Sequence, residues 1–276
     1  HDGIHRTFWV ETPLSYSSNH KYPVVVYFHV FGSSGTGTSM LEMINNENFI
    51  GIYPNGINNS WNSGVISYDE NQSQADDYGF TIKMIDWIKT NTRIDENRIF
   101  AFGQSAGAMF LYEQVVSRQH DFAAIAIVMG NYFDCDLSSV KIERCIDERP
   151  ILYPKQPGSN LHIHGERDNL VPFNGGPAGQ SDDLYVKSVY DTITIISGNS
   201  LCNFEPRIDT FSNGVTRYKY YGCNDFREIV VYAVYSAGHG NFNEYLPSGL
   251  IGDGVITLVW DFFENNPKNK LFDLNL

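Results

Sequence analysis

Ser105 lies at the centre of a short pattern that could carry out nucleophilic chemistry, Gly103-Gln104-Ser105-Ala106-Gly107. This G-x-S-x-G sequence stands between an apolar segment predicted as a strand and a segment predicted as a helix. A serine on such a tight turn needs small neighbours, because its strained backbone brings the flanking residues close together. The two glycines and Ala106 meet that need. We therefore predict that Ser105 is a nucleophile.

A serine nucleophile needs a base, and histidine is the usual one at neutral pH. His239 follows the last predicted strand, at the sheet edge where ligands bind in α/β proteins, so we predict it as the base. The acid that orients the base is expected between the serine and the histidine in the chain. Asp168 fills that position, with Glu166 as the nearest alternative. His29 and His164 also end predicted strands and are interpreted as residues that shape loops.

An oxyanion formed during acyl transfer needs two backbone N–H donors, one of them from the residue after the nucleophile, here Ala106. The second donor is expected in the loop after the strand PVVVYFH, from Phe31 or its neighbour. Gln104 beside the serine is a candidate substrate contact. Aromatic residues in predicted loops could line a groove or simply anchor those loops: Trp61, Tyr68, Tyr132, Phe133 and Phe173. Of these, we take Trp61 and Phe173 as candidate substrate contacts.

The elements that must position these side chains alternate between strands and helices. Apolar runs rich in Val, Ile, Phe and Tyr predict seven strands: Arg6–Val10, Pro23–His29, Phe49–Tyr53, Arg98–Gly103, Ala123–Met129, Leu161–His164 and Ile229–Tyr235. Several are apolar on consecutive residues, which is typical of parallel strands covered on both faces. Amphipathic stretches predict helices at 76–92, 105–119, 182–196 and 252–266, with Asp77 as the N-cap of the first. The pattern predicts an α/β fold with a mostly parallel central sheet and helices on both faces.

We expect the 276 residues to form a single catalytic domain, since neither an internal repeat nor a low-complexity tract divides them. Two stretches interrupt the alternation, near 131–159 and 198–227, and they contain all four cysteines. We interpret both as loop insertions over the sheet that could shape a substrate groove.

Composition excludes several classes of function. The formal net charge of -13 opposes binding to nucleic acid, and no apolar run is long enough to predict a membrane span. The cysteine spacing does not suggest a metal site, and we expect no cofactor. Three pairings of the cysteines are possible. We favour Cys135 with Cys145 and Cys202 with Cys223, because each would restrain an irregular segment, and the alternative is four free thiols.

The order of motifs along nearly the whole chain resembles a known group of enzymes. These motifs are RTFWVETP, PVVVYFHVFGSSG, IYPNG followed by SWN, DDYGFTIKMIDWI, IDENRIFAFGQSAGAM, HIHGERDNLVPFNGG and SAGHG. They are similar to the polyhydroxybutyrate depolymerase-like esterases, which include feruloyl and acetylxylan esterases. The resemblance implies an α/β-hydrolase fold and a Ser105, Asp168, His239 triad that hydrolyses esters in polymers or on plant-wall polysaccharides. It also matches a family cysteine pair with Cys202 and Cys223.

The resemblance further implies an exported enzyme, and the sequence begins at His1 rather than at a methionine. We therefore expect a secreted or periplasmic protein whose signal has been removed. We also expect a monomer. One departure is Val30, which stands where the family has glycine, so the oxyanion loop could be displaced. Two other functions remain open: a serine peptidase or amidase of the same fold, and a non-catalytic carbohydrate-binding relative.

Overall fold

Apolar segments form the interior of a nine-stranded sheet. The structure is a computed structural model that describes residues 1–36, 40–63, 73–116, 118, 120–134, 158–179, 184–240, 242 and 254–269. The strands of this sheet are β1 Phe8–Glu11, β2 Tyr22–Phe28, β3 Ile50–Pro54, β4 Ile94–Gln104, β5 Ala124–Val128, β6 Ser159–Gly165, β9 Arg207–Thr210, β10 Val215–Tyr220 and β11 Ile229–Val234. Across the sheet they follow the order β1-β3-β2-β4-β5-β6-β11-β10-β9. A separate short pair consists of β7 Gly176–Pro177 and β8 Tyr185–Val186.

The central strands β3, β2, β4, β5, β6 and β11 all pair in parallel, whereas β1, β10 and β9 add antiparallel edges. Every residue of β5, β6 and β11 is buried, which explains the near-continuous apolar composition of β5 and β11. Parallel strands end at the same edge of a sheet. Residues that follow β4, β6 and β11 are therefore brought to one side of the molecule.

Helices cover both faces of the sheet, as predicted. They are α1 Leu41–Glu47, α2 Asp77–Asn91, α3 Ala106–Phe110, α4 Val189–Asn199 and α5 Val255–Glu264. One core cluster contains side chains of α2, α3 and α4, and the other contains those of α1 and α5. This arrangement confirms the predicted fold class. Among the described residues, no helix combines the length and the hydropathy that crossing a membrane would require.

The stretch near 198–227 is not a loop insertion over the sheet. It contains β9 and β10, which extend the sheet as antiparallel strands beside β11. The interpretation was wrong because β9 is an exposed edge strand and β10 beside it is only partly buried, so neither has a long apolar run. Within the same stretch, a disulfide joins Cys202 to Cys223, as predicted. The other predicted pair, Cys135 and Cys145, lies outside the described residues, as does most of the stretch near 131–159.

The start of helix α2 also differs from the prediction. Asp76, not Asp77, is the N-cap, and its side chain accepts a hydrogen bond from the Gly79 N–H at 2.8 Å. Asp77 is buried and forms an ion pair with Arg6. Two adjacent aspartates at a helix start are equivalent in sequence, and only the burial of one of them separates their roles.

Candidate active site

Ser105 occupies a strained turn between β4 and α3. Its φ is 49° and its ψ is -116°, a combination that side-chain-bearing residues rarely adopt. The glycines on either side are required by close contacts. A Cβ at Gly103 would lie 2.7 Å from the Gly107 carbonyl oxygen, and a Cβ at Gly107 would lie 2.2 Å from that of Phe28. The G-x-S-x-G pattern thus reflects the packing of this turn and presents the serine at the sheet edge.

The three predicted residues meet at that edge. The Ser105 Oγ lies 2.9 Å from His239 Nε2, and His239 Nδ1 lies 2.7 Å from Asp168 Oδ2. Asp168, and not the alternative Glu166, is the carboxylate that contacts the imidazole. Because the carboxylate can only accept a hydrogen bond, it orients the histidine with Nδ1–H towards itself and a free Nε2 lone pair towards the serine.

The Asp168 carboxylate is held by several donors. Its Oδ1 accepts hydrogen bonds from the N–H groups of Leu170 at 2.9 Å and Val171 at 2.8 Å. Burial alone would raise the pKa of Asp168, but hydrogen bonds from His164, His239 and the Val171 N–H outweigh it and hold the pKa well below its usual range. The side chain is fully shielded from solvent and carries a negative charge over the whole range in which a histidine base works.

His29 fixes the loop that follows β2. Its Nε2 accepts a hydrogen bond from the Gly56 N–H, its Nδ1–H donates to the Val30 carbonyl, and its own carbonyl accepts from the indole of Trp61 at 2.9 Å. Burial lowers the pKa of His29, which favours this neutral form. The loop is therefore tied to the segment around Gly56, in agreement with the predicted role of His29 in shaping it.

The same loop begins against the serine turn, since a Cβ at Gly107 would lie 2.8 Å from the His29 carbonyl oxygen. The Gly32 N–H is bonded to the Asn59 carbonyl and the Ser33 N–H to that of Val30, whereas the N–H of Phe31 has no partner among the described residues. Positive φ in this loop falls on Gly32 and not on Val30, so the valine fits without backbone strain. The Ala106 N–H, at the first position of α3, has no carbonyl acceptor within its own helix.

The predicted substrate contacts fare differently. Trp61 is 2 % exposed and packs between Phe28 and Phe110, so its prediction as a substrate contact is wrong: its indole supports the loop from inside the core. Phe173 is half-buried and packs edge-to-face on His164. Two further aromatics suggested as groove residues, Tyr132 and Phe133, are buried, and Tyr68 lies outside the described residues.

Gln104 is half-buried beside the serine, and its Oε1 accepts a hydrogen bond from the Tyr27 hydroxyl at 2.6 Å. Phe31 is 49 % exposed, two residues after His29, whose carbonyl oxygen lies against Gly107 of the serine turn. Sequence reasoning missed the contact between His164 and the buried Asp168 carboxylate, 3.3 Å between Nε2 and Oδ2. The alternation Asn-Leu-His-Ile-His in β6 was the available signal, because it places polar residues on one face of a central strand.

No protein-family model matches the chain. The chain is 25 % identical over 278 residues to a probable feruloyl esterase C of Aspergillus niger, covering 95 % of this chain and 86 % of that protein. The chain has the α/β-hydrolase fold. Its fold is similar to an acetyl xylan esterase from Aspergillus awamori, with a TM-score of 0.61, 14 % identity and 93 % of each chain covered.

It is also similar to a ferulic acid esterase from Anaeromyces mucronatus in complex with ferulic acid, with a TM-score of 0.56 and 14 % identity over 96 % of this chain and 93 % of that one. These findings confirm the predicted resemblance to the feruloyl and acetylxylan esterase group. They show that the chain is a carboxylic ester hydrolase, and we call it the esterase below.

Proposed function

We propose that this esterase works through an acyl-enzyme on Ser105, with His239 as the base and Asp168 as the acid that orients it. The observation that carries the proposal is the unbroken line of contacts from Asp168 Oδ2 through His239 to the Ser105 Oγ, at 2.7 Å and 2.9 Å. Strain at Ser105 and the low pKa of Asp168 support the same roles, because both features cluster at functional sites.

In the first half of the reaction, Ser105 Oγ attacks the ester carbonyl carbon while His239 Nε2 takes its proton. The carbonyl oxygen becomes an oxyanion, for which the N–H groups of Phe31 and Ala106 are the proposed donors. Collapse of this intermediate breaks the bond to the alcohol, which leaves with the proton from His239. A water molecule then repeats the sequence on the acyl-enzyme, and the acid is released with Ser105 restored.

We propose that the substrates are feruloyl or acetyl esters on plant-wall polysaccharides. The similarity to the Aspergillus feruloyl esterase supports an aromatic acyl group, and so does the exposed ring of Phe31 beside its proposed oxyanion donor. Gln104 and Phe173 are the remaining candidate contacts. A polyester substrate of the hydroxyalkanoate type is the alternative to be compared in the same assays.

We also propose that the esterase is exported and acts as a monomer. The Cys202–Cys223 disulfide supports export, because disulfides persist mainly in oxidising compartments. Size-exclusion chromatography with light scattering tests the monomer.

The experiment that tests the catalytic proposal is Ser105→Ala, compared with Ser212→Ala as a matched control. Ser212 is an exposed serine in the turn between β9 and β10. Turnover of p-nitrophenyl acetate and methyl ferulate should fall by at least about 10³-fold in Ser105→Ala and stay unchanged in Ser212→Ala, with similar melting temperatures for all three proteins. Turnover retained by Ser105→Ala would remove the serine from its role.

Two further assays address the alternatives. A feruloyl amide with the same acyl group should be hydrolysed far more slowly than methyl ferulate, and equal rates would favour the peptidase or amidase function. A fluorophosphonate should label the wild type and spare Ser105→Ala, whereas a non-catalytic binding protein would stay unlabelled.

A further inference from the structure

Strand β6 carries a row of buried polar side chains along one face. Asn160, His162 and His164 alternate with Leu161 and Ile163, and all five are at most 2 % exposed. The strand lies in the interior of the sheet, between β5 and β11. Burying polar groups at such a position is costly unless each has a hydrogen-bond partner. The partners of this row therefore indicate why it exists.

The contacts form a continuous chain that ends at the catalytic carboxylate. The Tyr112 hydroxyl lies 2.8 Å from His162 Nδ1, and His162 Nε2 lies 3.1 Å from His164 Nδ1. His164 Nε2 lies 2.8 Å from the Val171 carbonyl oxygen and 3.3 Å from Asp168 Oδ2. The rings of His162 and His164 are nearly parallel, with 5.3 Å between their centroids.

The positions of the protons follow from the acceptors. A carbonyl oxygen can only accept, so His164 must carry a proton on Nε2. In a neutral His164, Nδ1 is then an acceptor, and His162 must donate to it from Nε2–H. The Nδ1 of His162 in turn accepts from the Tyr112 hydroxyl. Every donor therefore points towards Asp168, and the bond dipoles add in the direction that stabilises its negative charge.

A charged His164 would reverse this order, because its Nδ1–H would donate to His162 Nε2. His162 would then donate from Nδ1–H to the Tyr112 oxygen, and the Tyr112 hydroxyl would donate to Asn160 Oδ1, at 3.3 Å. Two observations favour the neutral form. His164 approaches the neutral carbonyl more closely than the carboxylate, whereas an imidazolium would favour the carboxylate. Its side chain is fully buried, where a second positive charge next to the protonated His239 of the reaction would be costly.

We propose that His164, oriented by His162 and Tyr112, is a positioning residue that fixes the Asp168 carboxylate for the reaction at Ser105. The inference rests on the proposed esterase function. With Oδ1 held by the backbone N–H groups of its own loop and Oδ2 contacted by His164, the carboxylate keeps one orientation towards His239 as that imidazole gains and loses a proton. Positioning at this accuracy matters because small displacements of catalytic groups cost large factors in rate.

The ionisable groups that face this site are few among the described residues. Asp168 and His239 approach His164 from loops after β6 and β11, His162 lies on the same strand, and Tyr112 stacks on Tyr132 from the helical side. Burial holds the pKa of both tyrosines well above their ordinary value, and Glu113 adds to the effect on Tyr132. Burial and the neighbouring His164 hold the pKa of His162 well below its ordinary value. Tyr112, Tyr132 and His162 therefore stay neutral while the catalytic pair changes charge.

The test compares His164→Phe, which keeps a ring but removes both nitrogens, with His164→Gln, which retains an N–H donor. For His164→Phe we expect kcat on p-nitrophenyl acetate to fall roughly 10-fold to 100-fold with little change in KM. The acid limb of kcat/KM against pH should move upward by roughly half a pH unit, because the charge of Asp168 is no longer shared with His164 and acts more strongly on His239. His164→Gln should recover most of the lost kcat and return the acid limb towards that of the wild type.

His120→Phe is the matched control, since His120 is also buried but lies at the other end of β6. It should keep the wild-type kcat and acid limb. A folded His164→Phe with the wild-type kcat and acid limb would overturn the inference, and so would a His164→Gln that is as impaired as His164→Phe. Failure of the proposed function is recognised separately, because turnover by the wild type would then persist in Ser105→Ala.

A measurement on the wild-type protein keeps the inference testable if His164→Phe does not fold. In protein labelled with 15N at histidine, long-range 1H–15N correlations at about pH 8 should show His162 and His164 as neutral Nε2–H tautomers. A doubly protonated His164, or an Nδ1–H tautomer at either residue, would contradict the direction of the chain and overturn the inference.

Discussion

Buried histidines lie at both ends of strand β6, in two different environments. At the end beside Asp168, every ring nitrogen of His162 and His164 has a partner, and the bonds share one direction. At the opposite end, His120 is 3 % exposed; its Nδ1 accepts a hydrogen bond from the Phe122 N–H, but its Nε2 has no partner among the described residues. His120 lines a cavity of about 10 Å³.

Burial lowers the pKa of the histidines at both ends, to about 4 for His120 and well below the ordinary value for His162. The shift alone therefore does not mark a functional residue. What distinguishes the end beside Asp168 is that the polar groups are connected to one another and to the carboxylate that we propose orients His239. We call the end of β6 with His162 and His164 the connected end, and the end beside His120 the unconnected end. The comparison predicts that substitutions at the connected end change catalysis, whereas substitutions at the unconnected end change only stability.

The largest effect is expected for Asp168→Asn, which should lower kcat by about 10³-fold to 10⁴-fold. The backbone N–H groups of Leu170 and Val171 hold an oxygen at the Oδ1 position, so the new NH₂ group must face His239 and the Nε2–H of His164. A donor there favours the wrong tautomer of His239. Ester turnover measures the loss, with His120→Phe as the control that stays within about twofold of the wild type. A small loss in Asp168→Asn would contradict the role of the carboxylate.

The second prediction concerns stability in acid. His120 has a folded-state pKa of about 4 against about 6.5 in the unfolded chain, so the unfolded state binds more protons between these values. The unfolding free energy that this pKa difference contributes is fully present above about pH 6.5 and is lost as the pH falls towards 4. Urea unfolding should show that His120→Phe removes about 2–3 kcal/mol of the decrease seen in the wild type over this range. An identical decrease in both proteins would show that His120 does not titrate as its burial implies.

The third prediction compares the two ends directly at neutral pH. His162→Phe leaves His164 Nδ1 without its donor and removes the nearer of two acceptors from the Tyr112 hydroxyl, whereas His120→Phe removes a single acceptor from the Phe122 N–H. We expect His162→Phe to destabilise the fold by about 2 kcal/mol more than His120→Phe. Urea unfolding at pH 7 measures the difference. Equal losses would mean that the bonds in the chain are no stronger than an isolated contact.

The sequence was sufficient to predict that Ser105, Asp168 and His239 lie at one edge of the sheet. Each of them follows a central parallel strand, and the carboxyl ends of parallel strands lie at the same edge. The sequence was insufficient where burial decides between equivalent residues. Trp61 was predicted at the substrate and lies in the core, and the contact between His164 and Asp168 depends on how the loop after β6 folds back.

The smallest effect on stability is expected for Ser159 and Ser200, which line the cavity beside His120 at the unconnected end. Ser159 donates to Asn266 Oδ1 at 2.8 Å and accepts from the Glu228 N–H at 3.1 Å, whereas the Ser200 hydroxyl has no partner among the described residues. Both are at most 2 % exposed, so the two alanine variants differ mainly in the hydrogen bonds that they remove. Ser159→Ala should cost about 1–2 kcal/mol of unfolding free energy, and Ser200→Ala less than about 0.5 kcal/mol, because only the first leaves buried partners unsatisfied. Chemical unfolding at pH 7 resolves the two values, and neither variant should change ester turnover. If Ser200→Ala proved as costly as Ser159→Ala, the Ser200 hydroxyl would have a partner at the cavity, and the contrast between a connected and an unconnected end of β6 would have to be abandoned.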